Sequence, residues 1–296
     1  MEYTGELISL GTAMCWTLTV VSFEYAGKRV GSLPVNIIRL LFGFIFLGIT
    51  LTVLSGSFIP IDASISTWSW LILSGMVGLV IGDLFLFQAF IDVGGRISLL
   101  VLSLVPVISA VLGLLFFNEI LSSLQIIGMT ITISAIAFVI LFRKQKVTIE
   151  HPHSKRGVLF AFIGAISQAV GLILSKQGMG DYSAFASTQI RVISAIIGFV
   201  ILITIRKEWT NVLKAFKNKT AIKFIIVGSI FGPFLGVSSS LLAMQYTDIG
   251  ISTTIAQLNV ILIIPFSIIL FKESVNYKEI IAAIIAFAGV ALLFLK

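Results

Sequence analysis

The chain has 296 residues, of which 58% are hydrophobic and only 11% are charged, and its mean hydropathy is +1.12. A soluble protein of this length cannot cover so much apolar surface, so the composition excludes an ordinary globular domain and predicts an integral membrane protein. The net charge of +7 does not indicate nucleic-acid binding, because the basic residues lie in short connectors between apolar segments, beside lipid headgroups.

Ten apolar runs are long enough to cross a bilayer as helices, since a core of about 30 Å needs about 20 helical residues. Helices are expected because unpaired backbone is costly in lipid and the runs are about twice the length of barrel strands. The predicted spans are 5–26, 34–54, 68–91, 96–117, 122–142, 157–177, 183–205, 221–246, 249–271 and 277–295. The predicted fold class is therefore an all-α membrane protein with ten transmembrane helices.

The distribution of lysine and arginine predicts the orientation of these spans. Sixteen basic residues fall at one set of span ends, and only Lys176 and Lys296 fall at the other. The positive-inside rule then predicts a multi-pass protein of the cell membrane with both termini on the non-cytoplasmic side.

The chain contains an internal repeat. Trp16 pairs with Gln168 and Arg39 with Arg191 at an offset of 152, and Gly82 pairs with Gly236 and Glu119 with Glu273 at an offset of 154. Five spans per half is an odd number, so the halves are expected to enter the membrane from opposite faces. The prediction is two inverted five-helix repeats, 1–142 and 157–296, around a central cavity, joined by a basic cytoplasmic linker, 143–156.

Cysteine and histidine usage gives no sign of a metal or redox centre. Cys15 is the single cysteine, which rules out a disulfide framework and a paired-cysteine motif. His151 and His153 lie in the charged linker, where histidines are far more often solvated than metal-bound. No metal and no cofactor is expected. The N-terminus, with Glu2 and Glu6, lacks the basic start of a cleavable signal peptide.

Several positions carry a resemblance to a known family. They are Arg39 and Arg191 near the start of the second span of each half, Pro106 in the fourth span, the ends Phe117-Asn118-Glu119 and Phe271-Lys272-Glu273, and Gly128 and Gly289 in the last spans. With the duplicated ten-span pattern, the whole chain resembles the EamA-type branch of the drug/metabolite transporter superfamily. The resemblance implies a secondary carrier for small metabolites, commonly an amino-acid or drug exporter, without ATP hydrolysis. Pro106 aligns with Val260, and Pro265 comes five positions later, so the second half departs from strict symmetry.

Arg39 and Asp83 are predicted at similar depths, within reach of an ion pair. Ionisable groups inside spans usually face a cavity or a partner. One interpretation is a pair that only holds two helices together, and the other is that Asp83 binds a proton or a substrate amine. Val237 stands where Asp83 would recur in the second half, and this asymmetry favours the functional interpretation.

A second group of polar positions lies in the second half. Arg191 is predicted near the depth of Ser239 and its neighbouring serines, where a guanidinium and hydroxyls could hold a carboxylate. Helix packing is the alternative for most of these serines. Gln257 and Asn259 are costly in an apolar helix, so at least one is expected to face the central cavity.

Three further residues complete the predicted substrate site. Trp16 and Gln168 lie near the middle of their spans, where they line either the pathway or the packed core, and Gln88 is their expected polar neighbour. Glu119 and Glu273 are expected to be structural, as charges at the first turn of the helices that follow them.

The leading functional hypothesis is an exporter of small polar metabolites such as amino acids, working by alternating access as a monomer in the lipid bilayer. Asp83 could couple transport to protons, although facilitated diffusion needs no such carboxylate. Exchange of phosphorylated sugars or other organic anions, and multidrug export, are the alternatives. No catalytic motif and no phosphate-binding loop occurs, so neither an enzyme nor an ATP-driven pump is expected.

Overall fold

The computed structural model describes residues 3–142, 155–271 and 277–295. Every regular element within these ranges is helical. Most of the predicted linker, with His151 and His153, lies outside the described residues, and so do Lys272 and Glu273.

Fifteen α-helices and two π-helical segments are described, and all of them except one, Trp209–Lys217, lie mainly within the predicted spans. In chain order they are α1 (Thr4–Val30), α2 (Ser32–Ser55), α3 (Ile65–Ser74), a first π segment (Gly75–Ile81), α4 (Gly82–Asp92), α5 (Gly94–Leu102), α6 (Val105–Phe117), α7 (Ser123–Phe142), α8 (Lys155–Met179), α9 (Ala184–Arg206), α10 (Trp209–Lys217), α11 (Lys219–Ser229), a second π segment (Ile230–Gly236), α12 (Val237–Ala243), α13 (Ile249–Ala256), α14 (Asn259–Phe271) and α15 (Tyr277–Leu293).

Eight helical segments of the described chain are long and apolar enough to cross a bilayer, and a shorter apolar helix covers Ile249–Pro265. This confirms the prediction of an all-helical, multi-pass membrane protein. The last helix, Tyr277–Leu293, has 17 residues. The count of ten spans and the inverted relation of the halves stay predictions.

Four predicted spans are interrupted, which the apolar runs did not reveal. The third and eighth spans each contain a π segment, and these segments begin at Gly75 and Ile230, an offset of 155. The fourth and ninth spans break at 103–104 and at 257–258, an offset of 154. The irregularities therefore recur at the spacing of the sequence repeat.

The break in the fourth span follows from proline chemistry. Pro106 has no backbone N–H, so the carbonyl of Leu102 loses its helical donor four residues later. The chain tightens here, with the Leu104 N–H donating to the Val101 carbonyl at 3.0 Å, a 3₁₀-type bond. A fresh helix, α6, then starts with Pro106 in its first turn, where a missing N–H costs nothing.

The two predicted halves interlock. Helix α1 packs against α11, α12, α13, α14 and the second π segment, and α8 packs against α3, α4, α5, α6 and the first π segment. Helix α2 contacts α9, and α7 contacts α15. The first helix of each half therefore packs on the interrupted helices of the other half.

Glycines allow the closest of these approaches. A β-carbon added at Gly171 of α8 would lie 2.7 Å from the Cα of Gly78 in the first π segment. Between α7 and α15, a β-carbon at Gly128 would lie 2.7 Å from the carbonyl oxygen of Gly289. Small residues at such crossings let transmembrane backbones touch, which is the main source of helix association in lipid.

The Gly128 contact generates a stability prediction. Gly128→Ala should lower the Tm of the purified protein in detergent, because the new methyl group meets a backbone oxygen that cannot move aside as a side chain would. Overpacking of this kind costs roughly 1–3 kcal/mol. Gly11→Ala in α1 is the matched control, since a β-carbon there meets nothing within 4 Å. Equal Tm values for the two variants would contradict this account of the α7–α15 contact.

Candidate functional site

Arg39 and Asp83 form an ion pair between α2 and α4. Asp83 is the second residue of α4, directly after the first π segment, and both side chains are 13% exposed. The Arg39 guanidinium carbon also lies 5.4 Å from the centre of the Phe23 ring of α1, a cation–π distance. The sequence-based expectation that the two charges lie within reach of each other therefore agrees with the observed geometry.

Arg191 of α9 approaches the same carboxylate. Its side chain is buried, and a β-carbon added at Gly78 would lie 3.4 Å from its Nη2 atom. It lies close enough to Asp83 for an electrostatic interaction, as Arg39 does. The sequence analysis placed Arg191 with the serines of the eighth span instead. The two arginines related by the repeat thus lie near one aspartate, with Arg39 as its ion-pair partner and Arg191 within electrostatic range.

This Arg39–Asp83–Arg191 group contains two cationic side chains and one anionic side chain. The Nε atoms of Arg39 and Arg191 are buried and have no hydrogen-bond partner among the described residues. A guanidinium presents five donors in a planar fork that matches a carboxylate or phosphate. The group therefore has the charge and the unused donors to accept an anion.

Gln168 lies beside this group, whereas Gln88 does not contact it. A β-carbon at Gly82, next to Asp83, would lie 3.4 Å from the Gln168 Cγ atom. Gln88 instead donates its Nε2 hydrogen to Asp92 Oδ1 at 2.8 Å, along its own helix. Asp92 Oδ2 lies 3.7 Å from the Arg156 Nε atom at the start of α8, so Gln88 belongs to a polar cluster at the end of α4.

Three predicted site residues lie where α1 meets the second half: Trp16 of α1, Ser239 of α12 and Asn259 of α14. Ser239 Oγ lies 3.0 Å from the Thr12 hydroxyl and donates to the Leu235 carbonyl. The Thr17 hydroxyl lies 3.4 Å from the Asn259 carbonyl oxygen, and the Oδ1 atom of Asn259 is buried without a hydrogen-bond partner in the described chain. A β-carbon at Gly236 would lie 3.6 Å from Trp16 Cε2. These residues form the contact of α1 with the second half.

Gln257 connects the two helix breaks. It lies in the break of the ninth span and donates its Nε2 hydrogen to the Leu102 carbonyl at 3.0 Å. This is the carbonyl that Pro106 leaves without a helical donor. A side chain of the second half thus donates the hydrogen bond that the backbone of the first half lacks. The sequence analysis selected Gln257 because an amide side chain is costly in an apolar helix. Pro106 could have indicated its partner, since a proline leaves the carbonyl four residues earlier, that of Leu102, without a helical donor.

A further polar network lies at the opposite end of α1, and the sequence analysis largely missed it. Glu119 accepts from Lys176 Nζ at 2.6 Å and from the backbone N–H of Ile249 at 2.9 Å. It therefore caps α13 of the second half. The expected role at the first turn of α7 was wrong, because Gln125 and Ser122 cap that turn reciprocally. The Thr247 hydroxyl donates to the buried Glu6 at 3.1 Å in the same region.

Asp248 lies within this network, in the connector before α13. Burial raises the pKa of its carboxyl above the ordinary value of 3.8, the charges of Glu119 and Glu6 raise the pKa further, and Lys176 opposes the rise. Its side chain makes no capping hydrogen bond to α13, whose first N–H donates to Glu119. The folded protein therefore disfavours the charged form of Asp248 relative to a solvated carboxyl group.

Helices of this length and hydropathy define a multi-pass membrane protein, and comparison with known proteins gives its family. The sequence profile of the EamA-like transporter family matches residues 3–141 and again residues 155–295. One solved crystal structure of a protein aligns with a TM-score of 0.75 at 15% identity, covering 98% of this chain and 96% of the other, which indicates a shared fold. No curated protein matches the chain.

The chain belongs to the EamA-like transporter family, within the drug/metabolite transporter superfamily. Membership of a transporter family indicates transport rather than catalysis. The two matched ranges leave residues 142–154 between them, which include most of the predicted linker.

Asp248 generates a pH prediction. A carboxyl with a raised pKa in the folded state contributes stability at acid pH, and that contribution is lost as the pH rises from 3.8 through the raised pKa. Asp248→Asn should therefore raise Tm at pH 7, and its advantage over the native protein should shrink as the pH falls. Thermal unfolding in detergent across this range provides the measurement. An advantage that is the same at every pH would show that the titration of Asp248 is not its cause.

Proposed function

We propose that the protein is a secondary transporter that exports small polar metabolites such as amino acids by alternating access. In this proposal two inverted five-helix repeats enclose the pathway in one monomer, and both termini lie on the non-cytoplasmic side. The convergence of Arg39 and Arg191 on Asp83 is the observation that supports it most strongly. All three of these charged side chains belong to apolar spans, where an ionisable group is costly unless it is paired or used.

The interrupted helices support the same proposal. Discontinuous helices with freed backbone groups are typical of secondary carriers, in which they border the binding site and move during alternation. Here the breaks at 103–104 and 257–258 are joined by a single side chain, Gln257. One hydrogen bond is a contact that a carrier can make and break in each cycle.

Each charged side chain has a role in the proposal. A guanidinium left partly unpaired, such as that of Arg191, would bind the carboxylate of an amino acid, while Asp83 would bind its amine or a proton. Gln168, beside Asp83, would hydrogen-bond the bound molecule. Trp16 and Asn259, on the contact of α1 with the second half, are proposed as walls of the pathway.

A second candidate is the exchange of organic anions, including phosphorylated sugars. The observation that favours it is the excess of guanidinium over carboxylate in the Arg39–Asp83–Arg191 group. A bound anion would offset the excess positive charge of the group, whereas an empty group would keep an uncompensated charge in a medium of low dielectric constant. A carrier of this kind would change its conformation much faster when loaded than when empty.

Transport by purified protein in proteoliposomes tests the leading proposal. The native protein should release preloaded labelled amino acid, and an imposed pH gradient should accelerate this release. Asp83→Asn should reduce the rate by at least tenfold, because Arg39 and Arg191 lose their shared counter-charge. Asp62→Asn, the same change in the exposed connector before α3, is the control and should transport normally.

The folding of the variant has to be tested separately. Removing one partner of a buried ion pair costs roughly 3–5 kcal/mol, so Asp83→Asn alone could unfold. The double variant Arg39→Gln with Asp83→Asn removes the pair and keeps the net charge of the group. Folded variants that transport at the native rate would assign Asp83 a packing role and remove the proton-coupling part of the proposal.

Exchange and export differ in their dependence on substrate outside the vesicle. If the protein exchanges anions, efflux of a preloaded sugar phosphate should need an external anion and should fall by at least tenfold without one. If it exports zwitterionic amino acids, efflux should proceed into buffer alone. Arg191→Gln should abolish anion exchange, since it leaves only the Arg39–Asp83 pair. Efflux that is independent of external anion would contradict the second candidate.

A further inference from the structure

Helix α10, which connects α9 to α11, has three distinct faces. Val212 and Ala215 are buried, at 2% and 1% exposure, where the helix packs against α2 and α11. Trp209, Leu213 and Phe216 are 39%, 62% and 46% exposed. The spacings of four and three between them place these three side chains in one stripe on a helix.

The remaining face of α10 is polar. It carries Thr210, Asn211, Lys214 and Lys217, all of which are exposed. A helix with a protein-facing side, an exposed apolar stripe and a basic side fits a position in the plane of a membrane interface. Trp209 also donates its Nε1 hydrogen to Thr204 Oγ1 at 3.0 Å, which leaves the apolar part of its ring in the stripe. Tryptophan favours this level of the bilayer because the ring has one apolar and one polar end.

The position of α10 along the chain fixes its depth. It follows Ala184–Arg206 directly and precedes Lys219–Ala243, and both of these helices are long and apolar enough to cross the bilayer. A nine-residue helix between the ends of two spans lies at the level of the headgroups. The exposed stripe at that level meets the upper acyl chains, and the basic face meets phosphate groups.

The basic residues around α10 are numerous and unpaired. Between residues 206 and 223 the chain has six basic residues and one acidic residue. In the described part of the chain none of the six forms an ion pair, and Glu208 is engaged with Asn211. The six basic residues are Arg206, Lys207, Lys214, Lys217, Lys219 and Lys223, and all are exposed.

The corresponding connector of the first half lacks this feature. Residues 56–64 join α2 to α3 and contain no lysine or arginine. The basic helix therefore has no counterpart in the corresponding connector of the first half. Its chemistry points to a different ligand.

We propose that α10 is an interfacial helix that binds anionic phospholipid headgroups of the cytoplasmic leaflet. Lys214 and Lys217 contact the headgroup phosphates, and Trp209, Leu213 and Phe216 insert at the acyl boundary. A cluster of four to eight basic residues at the cytoplasmic end of a transmembrane helix attracts anionic lipid at roughly 1 kcal/mol per residue. Two lysines then raise the ratio of anionic to neutral lipid around the helix by roughly thirtyfold, since every 1.4 kcal/mol is tenfold.

Quenching of Trp209 fluorescence by brominated lipid tests the proposal. The full-length protein is reconstituted into bilayers of phosphatidylcholine with 30% phosphatidylglycerol, with bromine on the acyl chains of one lipid or the other. The difference between native protein and Trp209→Phe isolates the signal of Trp209 from the other three tryptophans. We expect Trp209 to be quenched several-fold more by brominated phosphatidylglycerol than the bulk composition predicts, with the preference falling at high salt.

Matched lysine variants identify the binding residues. Lys214→Gln with Lys217→Gln should abolish the preference for the anionic lipid and leave quenching in pure phosphatidylcholine unchanged. Lys28→Gln with Lys155→Gln removes the same charge at other connectors on the predicted cytoplasmic side and should keep the preference. Loss of the preference in both pairs would show a general charge effect and overturn the assignment to α10.

Two other results would also overturn the proposal. Trp209 that is not quenched by either brominated lipid would show that α10 is not in the interface, as expected if a protein partner covers it. A preference that is abolished by millimolar inorganic phosphate at constant ionic strength would show a site for free phosphate instead of lipid. Neither result depends on transport activity, so the proposal stands or falls independently of the exported substrate.

Discussion

A backbone carbonyl or amide in hydrocarbon has no water to bond, so it must find its partner within the protein. The irregular parts of this chain obey that constraint through contacts between the halves. The Leu102 carbonyl, released by Pro106, accepts from Gln257, and the first N–H of α13, that of Ile249, donates to Glu119. Each of these two hydrogen bonds joins one half to the other. The interrupted helices are therefore satisfied only when both halves are assembled, and any motion that separates them must provide new partners.

Charged side chains in hydrocarbon need a partner within the protein even more than backbone groups do. The duplication supplies an arginine to each half, Arg39 and Arg191, but the carboxylate occurs once, as Asp83, with Val237 at the corresponding position. A strictly symmetric chain would have two separate ion pairs. Here one carboxylate pairs with Arg39 and lies within electrostatic range of Arg191, and the glycines at 75 and 78 of the first π segment let α9 approach closely. The group has one carboxylate for two guanidinium groups because the second half lacks the aspartate. The glycines of the first π segment allow the three side chains to lie close together.

The sequence was sufficient to predict the helical class, most span limits and the contact between Arg39 and Asp83, because these depend on length, hydropathy and depth along single helices. It could not predict that Arg191 faces Asp83. That contact depends on the rotation of α9 and on its distance from the first π segment, neither of which depth reveals. The π segments left no signal in an apolar run, since their composition matches that of an α-helix. The break at 103–104 did have a sequence signal, because Pro106 has no N–H to donate to the Leu102 carbonyl.

The connector between the second and third spans of each half differs in charge, and the inverted arrangement proposed above offers a physical reason. Two copies of one five-span unit have the same preference for insertion unless the charges flanking them differ, because lysine and arginine near the span ends determine which end stays in the cytoplasm. Residues 56–64 have no basic residue, whereas the corresponding connector of the second half contains α10 and its lysines. If the two related units insert in opposite directions, as proposed, a contrast of this kind is expected. A helix that binds anionic lipid on one side would add to that bias, since it holds the second unit against the cytoplasmic leaflet through both charge and apolar contact.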